Sequence, residues 1–376
     1  MNTKAVFIHL GKSPAKHLWL NLMRHKILFP EIETHLIIDE SKHIKNIPKD
    51  IDVYFYKRRN EFLKNKVLNS YDQKFRQGFW RFSLERFFAL AEFHETNPSS
   101  SILHIESDIL LSPNFPWNIF DSINKPMWNN YNFQRDVSAL LYYPNFQIHS
   151  EIIQKIQQLL LENSSHTDMT VLAEIRESIA TKISLFPSLT NAIPELKNRA
   201  NKVSDTLIDK VSDASIFQDG IFDGAAIGMW FTGHDPRNNY GKAFIHDSTP
   251  ITSGDSLVDP SSVDYDMDLQ GNLYVVSKVT QERMKLWCIH IHSKSLKLFS
   301  PEWKLELRRF VDQSRNPTPI PFFSKSAIWG MLTQSIQGRT FLRFLIGLPV
   351  IHQFRRRLSP VKRSMISKFR NSQSKE

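Results

Sequence analysis

The sequence predicts an α/β fold in which strands and helices alternate around a doubly wound sheet. Three observations carry this. Short apolar runs recur through the first 112 residues, segments of helical spacing separate them, and small or acidic residues close them. Residues 6–10 are an apolar run closed by Gly11 and predict the first strand. Residues 14–29 space Leu18, Leu22 and, less regularly, Leu28 as a helix does. Residues 34–38 predict a strand ending at Asp39, and residues 52–56 another. Residues 79–95 form a long helical pattern around Phe82, Leu84, Phe87, Phe88 and Ala91. Residues 101–105 predict a strand leading into Glu106-Ser107-Asp108. Ligands of such sheets bind beyond the carboxyl ends of the strands, where Gly11, Asp39 and Glu106/Asp108 stand.

Further along, residues 138–143 predict a strand and residues 148–161 and 168–183 helices. Residues 198–215 are polar with helical spacing, 222–230 small and apolar, and 246–268 an acidic, Ser/Pro-rich loop. Gly271-Asn272 reads as a turn and 285–292 as a strand. Pro317, Pro319 and Pro321 make 315–321 an extended linker. The expected organisation is therefore a folded domain over 1–314, a linker over 315–321 and a tail over 322–376.

Composition narrows the function classes. With 41% hydrophobic residues and 27 Phe among 376, the chain can bury a sizeable core. One cysteine, Cys288, excludes a disulfide framework and any Cys-rich zinc module. The net charge of +10 belongs to the tail: residues 322–376 hold eleven Lys/Arg and one acid, so 1–321 is neutral. A nucleic-acid-binding fold places its basic stripe on the folded domain, so no nucleic-acid partner is expected. No stretch of ~20 uncharged apolar residues occurs. The N-terminal run lacks the length and cleavage site of a signal peptide, and a cytoplasmic location is expected.

Glu106-Ser107-Asp108 is the most informative triplet. In extended backbone, residues two apart point the same way, so both carboxylates face one cation. Hard oxygen ligands suit Mg²⁺ or Mn²⁺, which in turn holds a diphosphate. The plainer alternative is a solvated strand end. Asp264-Tyr265-Asp266-Met267-Asp268 also spaces acids two apart, but Leu269 stands where a calcium loop needs glycine, and a solvated loop is expected.

Residues 286–294 alternate cleanly, placing Ile289 and Ile291 on one face and Cys288, His290 and His292 on the other. Imidazoles two apart on a strand contribute to metal sites, and Lys294 continues that face as a point charge for phosphate. The alternatives are a half-buried strand with ordinary hydrogen-bonded histidines, or a zinc site of Cys288, His290 and His292 serving a hydrolase.

Residues 219–228 combine Asp219 and Asp223 with Gly224 and Gly228. The glycines permit close backbone approach to a sugar, and Asp223, or failing it Asp219, is a candidate base or stabiliser of an oxocarbenium-like centre. The alternative is a turn capped by Asp223. Trp230, Phe231, His234 and Asp235 are candidates for shaping an acceptor pocket.

A long helix bearing Arg86, an apolar strand, acid-x-Asp, and late His290/His292 with Lys294 together resemble the nucleotide-sugar core of GT-A glycosyltransferases. The closest pattern is the type reading Arg…Leu-Tyr-Leu-Asp-x-Asp and ending His-x-x-Gly-x-x-Lys. Here Glu106 replaces the first aspartate, and His-Ile-His-Ser-Lys lacks the glycine. The likeness covers about 4–112 and 216–300. It implies a Rossmann-like mixed sheet flanked by helices and transfer of a sugar from a nucleotide-diphosphate donor to a glycan or lipid-linked acceptor. It implies Asp108 and Glu106 as ligands of Mn²⁺ or Mg²⁺ with His290 or His292. Lys294 and Arg86 would stabilise the departing diphosphate, and Leu10, Gly11 and Asp39 would lie where the nucleoside binds.

The tail carries Ile328, Met331, Leu332, Ile336, Phe341, Leu342, Leu345 and Ile346, then Val361, Met365 and Phe369 among Lys362, Arg363, Lys368 and Arg370. Paired basic and apolar faces suit an anionic membrane surface, so a peripheral protein of the cytoplasmic membrane face is expected, and with the glycosyltransferase resemblance this implies a role in making surface polysaccharide. The alternatives are a docked C-terminal helix with a basic end, RNA binding by the tail, or a non-catalytic membrane-binding module on a degenerate fold.

Overall fold

The computed structural model describes residues 2–11, 14–39, 47–48, 50–58, 78–198, 204–218, 220–233 and 255–315. All belong to one of the chain's two compact units; the other, Pro236–Gly241 with Pro319–Glu376, lies outside the described residues. Asp219, His234, Asp235, linker residues 316–321 and the tail fall outside them too.

A seven-stranded sheet carries the unit, in the order β3-β2-β1-β4-β7-β6-β8. Its strands are β1 (Thr3–His9), β2 (Thr34–Ile38), β3 (Asp52–Phe55), β4 (Ser101–Ile105), β6 (Met127–Asn132), β7 (Arg135–Tyr143) and β8 (Ser184–Leu185). The first four are parallel, with Phe7 opposite Leu36 and Ala5 opposite Leu103. β7 then joins β4 antiparallel, His104 opposite Leu141, so the sheet is mixed. Parallel strands buried on both faces read as continuous apolar runs, which is why Ala5-Val6-Phe7 and Leu36-Ile37-Ile38 carry no polar residue and are all buried.

Helices cover both faces. α1 (Lys16–Leu28) packs Leu18 and Leu22 with Phe7 and Leu36 on one side. On the other, α2 (Phe79–Glu95), α3 (Phe146–Glu162) and α4 (Asp168–Ser178) bring Phe87, Ile156 and Leu172 onto Val6, Ile37 and Ile102. The caps are local: Asn145 accepts from Ile148 N at 3.0 Å, and Thr167 forms a capping box with Thr170.

Several expectations are corrected. The helix expected to Ile183 ends at Ser178, and within 198–215 the described helix is the shorter α5 (Asp205–Ser212). The small, apolar run over 222–230 follows β9 (Gly220–Ile221) and leads into α6 (Ala226–Thr232). The loop expected over 246–268 contains β10 (Asp264–Met267). β10 forms a second sheet with β11 (Leu273–Val276), β12 (Arg283–Leu286) and β9. There Asp266 pairs with Arg283 at 2.8 Å and Asp268 accepts from the Gly271 and Asn272 amides, so these acids serve the hairpin.

The strand expected over 285–292 is two strands. β12 ends at Leu286, and β13 (Cys288–His290) pairs antiparallel with β5 (Ile109–Leu111), His290 opposite Ile109. Trp287 makes the break: its ring is buried and donates through Nε1 to Phe217 O at 3.0 Å, while its amide bonds Ile221 O. α7 (Leu296–Phe299) and α8 (Trp303–Arg315) follow. Among the described residues no helix is long and apolar enough to cross a membrane.

Candidate metal and diphosphate site

The site forms where β4 ends. Glu106 N donates to Ala139 O at 2.9 Å, keeping Glu106 at the sheet margin, and Ile109 N returns to Glu106 O at 3.1 Å. Residues 106–109 are thus a turn, not the extended segment expected, and the carboxylates converge because the chain folds back into β5. Two residues of α1 hold this turn. Asn21 Nδ2 donates to Ser107 O and Ile109 O at 3.1 and 2.7 Å, and His17 Nε2 lies 3.1 Å from Ser107 Oγ.

Opposite the turn stands the end of β13, bound to Asp108 through Ile291 N to Asp108 O at 2.8 Å. His290 Nε2 lies 3.5 Å from both Glu106 Oε2 and Asp108 Oδ1. Ligand atoms of Glu106, Asp108 and His290 all lie within 4.8 Å of one another. Bonds of about 2.1 Å to one octahedral ion put neighbouring ligand atoms about 3 Å apart and opposite ones about 4 Å, and the two 3.5 Å separations from His290 lie between these. His292 is outside this group; its ring stacks on His290 at 3.9 Å, because the strand stops at His290 and His292 N turns back to His290 O. Lys294, at a positive φ of 52°, nevertheless reaches the site and places Nζ 3.0 Å from Asp108 Oδ2.

Charge completes the geometry. Burial opposes the charge of Asp108, but Lys294 and then His290 hold its carboxyl well below the usual range. Arg86, on α2, donates to Glu106 and, through Nη2, to Asp168 Oδ2 at 3.0 Å. Burial lowers the pKa of Arg86, while Asp168 and Asp108 favour its charged form. Asp168, in the first turn of α4, also accepts from Ser138 Oγ at 2.9 Å. Asp168 was missed in sequence, where the only visible signal was Thr167-Asp168 opening a helix.

Asp223 stands behind His290 and is buried. Its Oδ1 accepts from Ala225 N and Ile227 N, and its Oδ2 from Gly228 N and His290 N, at 2.8–3.0 Å. Burial nevertheless raises its pKa. This arrangement is the capped turn: Asp223 ties α6 to β13. The two glycines lie close against backbone. A Cβ on Gly228 would sit 1.8 Å from His290 O, and one on Gly224 2.4 Å from Asn130 O. Trp230 and Phe231 are buried against Tyr265 in the core.

Leu10, Gly11 and Asp39 meet at the ends of β1 and β2. Gly11 has φ +88°, and a Cβ there would strike the Phe82 ring at 2.6 Å, so glycine is required. Gly11 N donates to Asp39 Oδ2 at 2.9 Å, and Arg58 Nη2 reaches the same oxygen at 2.8 Å. Leu10 packs partly buried on the core. Cys288 is buried, its thiol pushed well above the usual range by burial and then by Asp223. Among the described residues Cys288 joins no group able to hold a metal. Among the described residues a second such group is Glu33, His35 and Asp52, at the opposite margin of the parallel strands, where Glu33 already binds Lys4 and His35.

No family model matches the chain, and no curated protein matches it. Among solved structures it is similar to PaToxG glycosyltransferase, 10% identical with a TM-score of 0.32 over 48% of this chain and 70% of that one. It is similar also to the galactosyltransferase LgtC in complex with donor and acceptor sugar analogues, 10% identical with a TM-score of 0.35 over 56% and 83%. A third is the apo form of the glycosyltransferase GlyE of Streptococcus pneumoniae TIGR4, 13% identical with a TM-score of 0.31 over 49% and 45%.

Proposed function

We propose that the protein is a metal-dependent glycosyltransferase using a nucleotide-diphosphate sugar. The observation that carries this reading is the convergence of Glu106, Asp108 and His290 on one ion-sized space, with Lys294 and Arg86 beside the same two carboxylates. Sugar–phosphate cleavage leaves negative charge on the nucleotide, and fixed cations stabilise it as it develops. A divalent ion held by Glu106, Asp108 and His290 supplies Lewis-acid stabilisation of the diphosphate. Lys294 adds a mobile point charge, and Arg86 keeps Glu106 oriented. Asn21 and His17 fix the turn that presents both carboxylates, and Asp223 fixes the backbone of His290. Gly11 and Asp39, at the neighbouring strand ends, form the edge on which the nucleoside is placed. The acceptor is a glycan or lipid-linked precursor of surface polysaccharide, brought close by the basic, amphipathic tail at an anionic, cytoplasmic membrane face.

A thermal-shift screen of UDP- and GDP-sugars with and without Mn²⁺ tests the reading. A donor at 100 times its dissociation constant adds about 2.7 kcal/mol of stability. Stabilisation by a nucleotide sugar only with Mn²⁺ supports it; no response to any nucleotide sugar overturns it.

A further inference from the structure

The four carboxylate oxygens of Glu106 and Asp108 have unequal surroundings. Glu106 Oε1 is taken by Arg86 and Asp108 Oδ2 by Lys294. The other two, Glu106 Oε2 and Asp108 Oδ1, face His290 Nε2 at 3.5 Å each. The two cations are held differently. Arg86 is also gripped from behind by Asp168, itself bound to Ser138. Lys294 hangs on a short turn at positive φ, its amide bonded to Ile291 O at 3.0 Å, and its side chain is 27% exposed. An ammonium on a flexible four-carbon stem follows a displaced anion more readily than a planar guanidinium fork.

Charge counting around these groups gives the consequence. Glu106, Asp108 and Asp168 bring three negative charges, and Arg86 and Lys294 two positive ones, leaving one negative charge for a divalent ion. An ion bound alone makes the cluster net positive and sets itself against Lys294 for Asp108. A diphosphate reverses this by giving both cations an anion to share.

We propose that Lys294 is an internal counter-cation for Asp108, held there until a nucleotide diphosphate draws it away, so that divalent metal and diphosphate bind as a coupled pair. The inference rests on the metal-dependent reading above and adds an order to it. Without diphosphate, Lys294 suppresses metal binding. With it, the same side chain moves from carboxylate to phosphate and becomes a favourable contact. Free nucleotide diphosphate and the donor sugar share the recognised group, so either produces the coupling.

The test is Mn²⁺ binding to the full-length protein, read from the electron paramagnetic resonance signal of free Mn²⁺ with and without UDP or GDP. The wild type is expected to bind Mn²⁺ weakly alone and at least tenfold more tightly with nucleotide, within the usual range of coupling between sites. Lys294→Met is expected to bind Mn²⁺ about tenfold more tightly than wild type without nucleotide, and to lose most of the nucleotide-induced gain. Lys294→Gln, which keeps a polar end, is expected to behave alike and serves if the first variant does not fold. Nucleotide-free Mn²⁺ binding that is unchanged or weaker in both variants overturns the counter-cation role and leaves the metal reading standing. No Mn²⁺ binding by wild type under either condition, or binding that survives Asp108→Asn, overturns the metal reading and the inference with it.

Discussion

Arg86 Nη2 donates to Asp168 Oδ2 at 3.0 Å, joining the helix before the acidic turn to the first turn of a helix 82 residues later. The contact fixes the guanidinium that orients Glu106, and both partners are largely buried, with side chains 12% and 10% exposed. Removing Asp168 leaves Arg86 paired with Glu106 and one buried guanidinium nitrogen without its acceptor, at about 1–3 kcal/mol. Asp168→Ala is therefore expected to lower unfolding stability by about that much and to weaken nucleotide-sugar binding further in the protein that remains folded. Urea unfolding with donor titration checks both. Asp168→Asn keeps the Ser138 contact and is expected to lose less stability.

Gly228 carries α6 against the end of β13, where even a methyl group meets His290 O. Gly228→Ala is expected to cost about 1–3 kcal/mol, the usual range for forced overpacking, and to displace His290 from the carboxylates. Thermal unfolding and Mn²⁺ affinity should fall together. A stable variant with unchanged Mn²⁺ affinity would separate α6 from the site.

The buried histidines make stability depend on pH. Burial lowers His94 to about 4 and His25 and His104 to about 3. His94 Nε2 donates to Ser100 O at 2.8 Å, so its Nδ1 accepts from His149 Nδ1, and both rings are neutral. Their folded pKa values lie below the unfolded value near 6.5, so the unfolded chain takes up more protons. Stability is full above about pH 6.5 and falls as pH drops towards 4, by up to about 1.4 kcal/mol per unit per group. Urea midpoints between pH 7.5 and 4.5 should show this loss; a flat profile would contradict neutral burial.

Residues 322–376 hold the whole net charge of +10 together with apolar residues such as Phe341, Leu345 and Phe369. The full chain is expected to co-sediment with anionic vesicles and not with neutral ones, and to release at 1 M salt, where screening shortens to about 3 Å. A chain ending near Pro321 should keep donor binding and lose vesicle binding. Equal sedimentation of both would favour a docked tail.

What was legible in sequence was what burial imposes locally. Strands β1, β2 and β4 announce themselves because both faces are covered, and α2 because its apolar spacing is long. Glu106, Asp108, His290 and Lys294 stand out because polar residues interrupt apolar runs at strand ends. The path that brings them together did not. The 106–109 turn depends on the Glu106 amide donating across to the Ala139 carbonyl of β7 and on Asn21 and His17 of α1, and the break at Trp287 depends on a ring that finds Phe217 O. Asp168 and Arg58 meet partners 82 and 19 residues away, and no local period marks such contacts. The glycines after Asp223 show in sequence that backbone approaches something closely, not what it approaches.

The most direct test of the account is donor binding by Asp108→Asn. Asparagine keeps the shape of Asp108 and removes the charge that faces His290 and Lys294. Calorimetric titration of wild type and variant with UDP- and GDP-sugars, each with Mn²⁺ and with chelator, is the measurement. Wild type is expected to bind donor in a Mn²⁺-dependent way, and the variant to lose that dependence while staying folded, with an unfolding temperature lowered by the lost pairing with Lys294. Mn²⁺-dependent donor binding that persists undiminished in Asp108→Asn would contradict it.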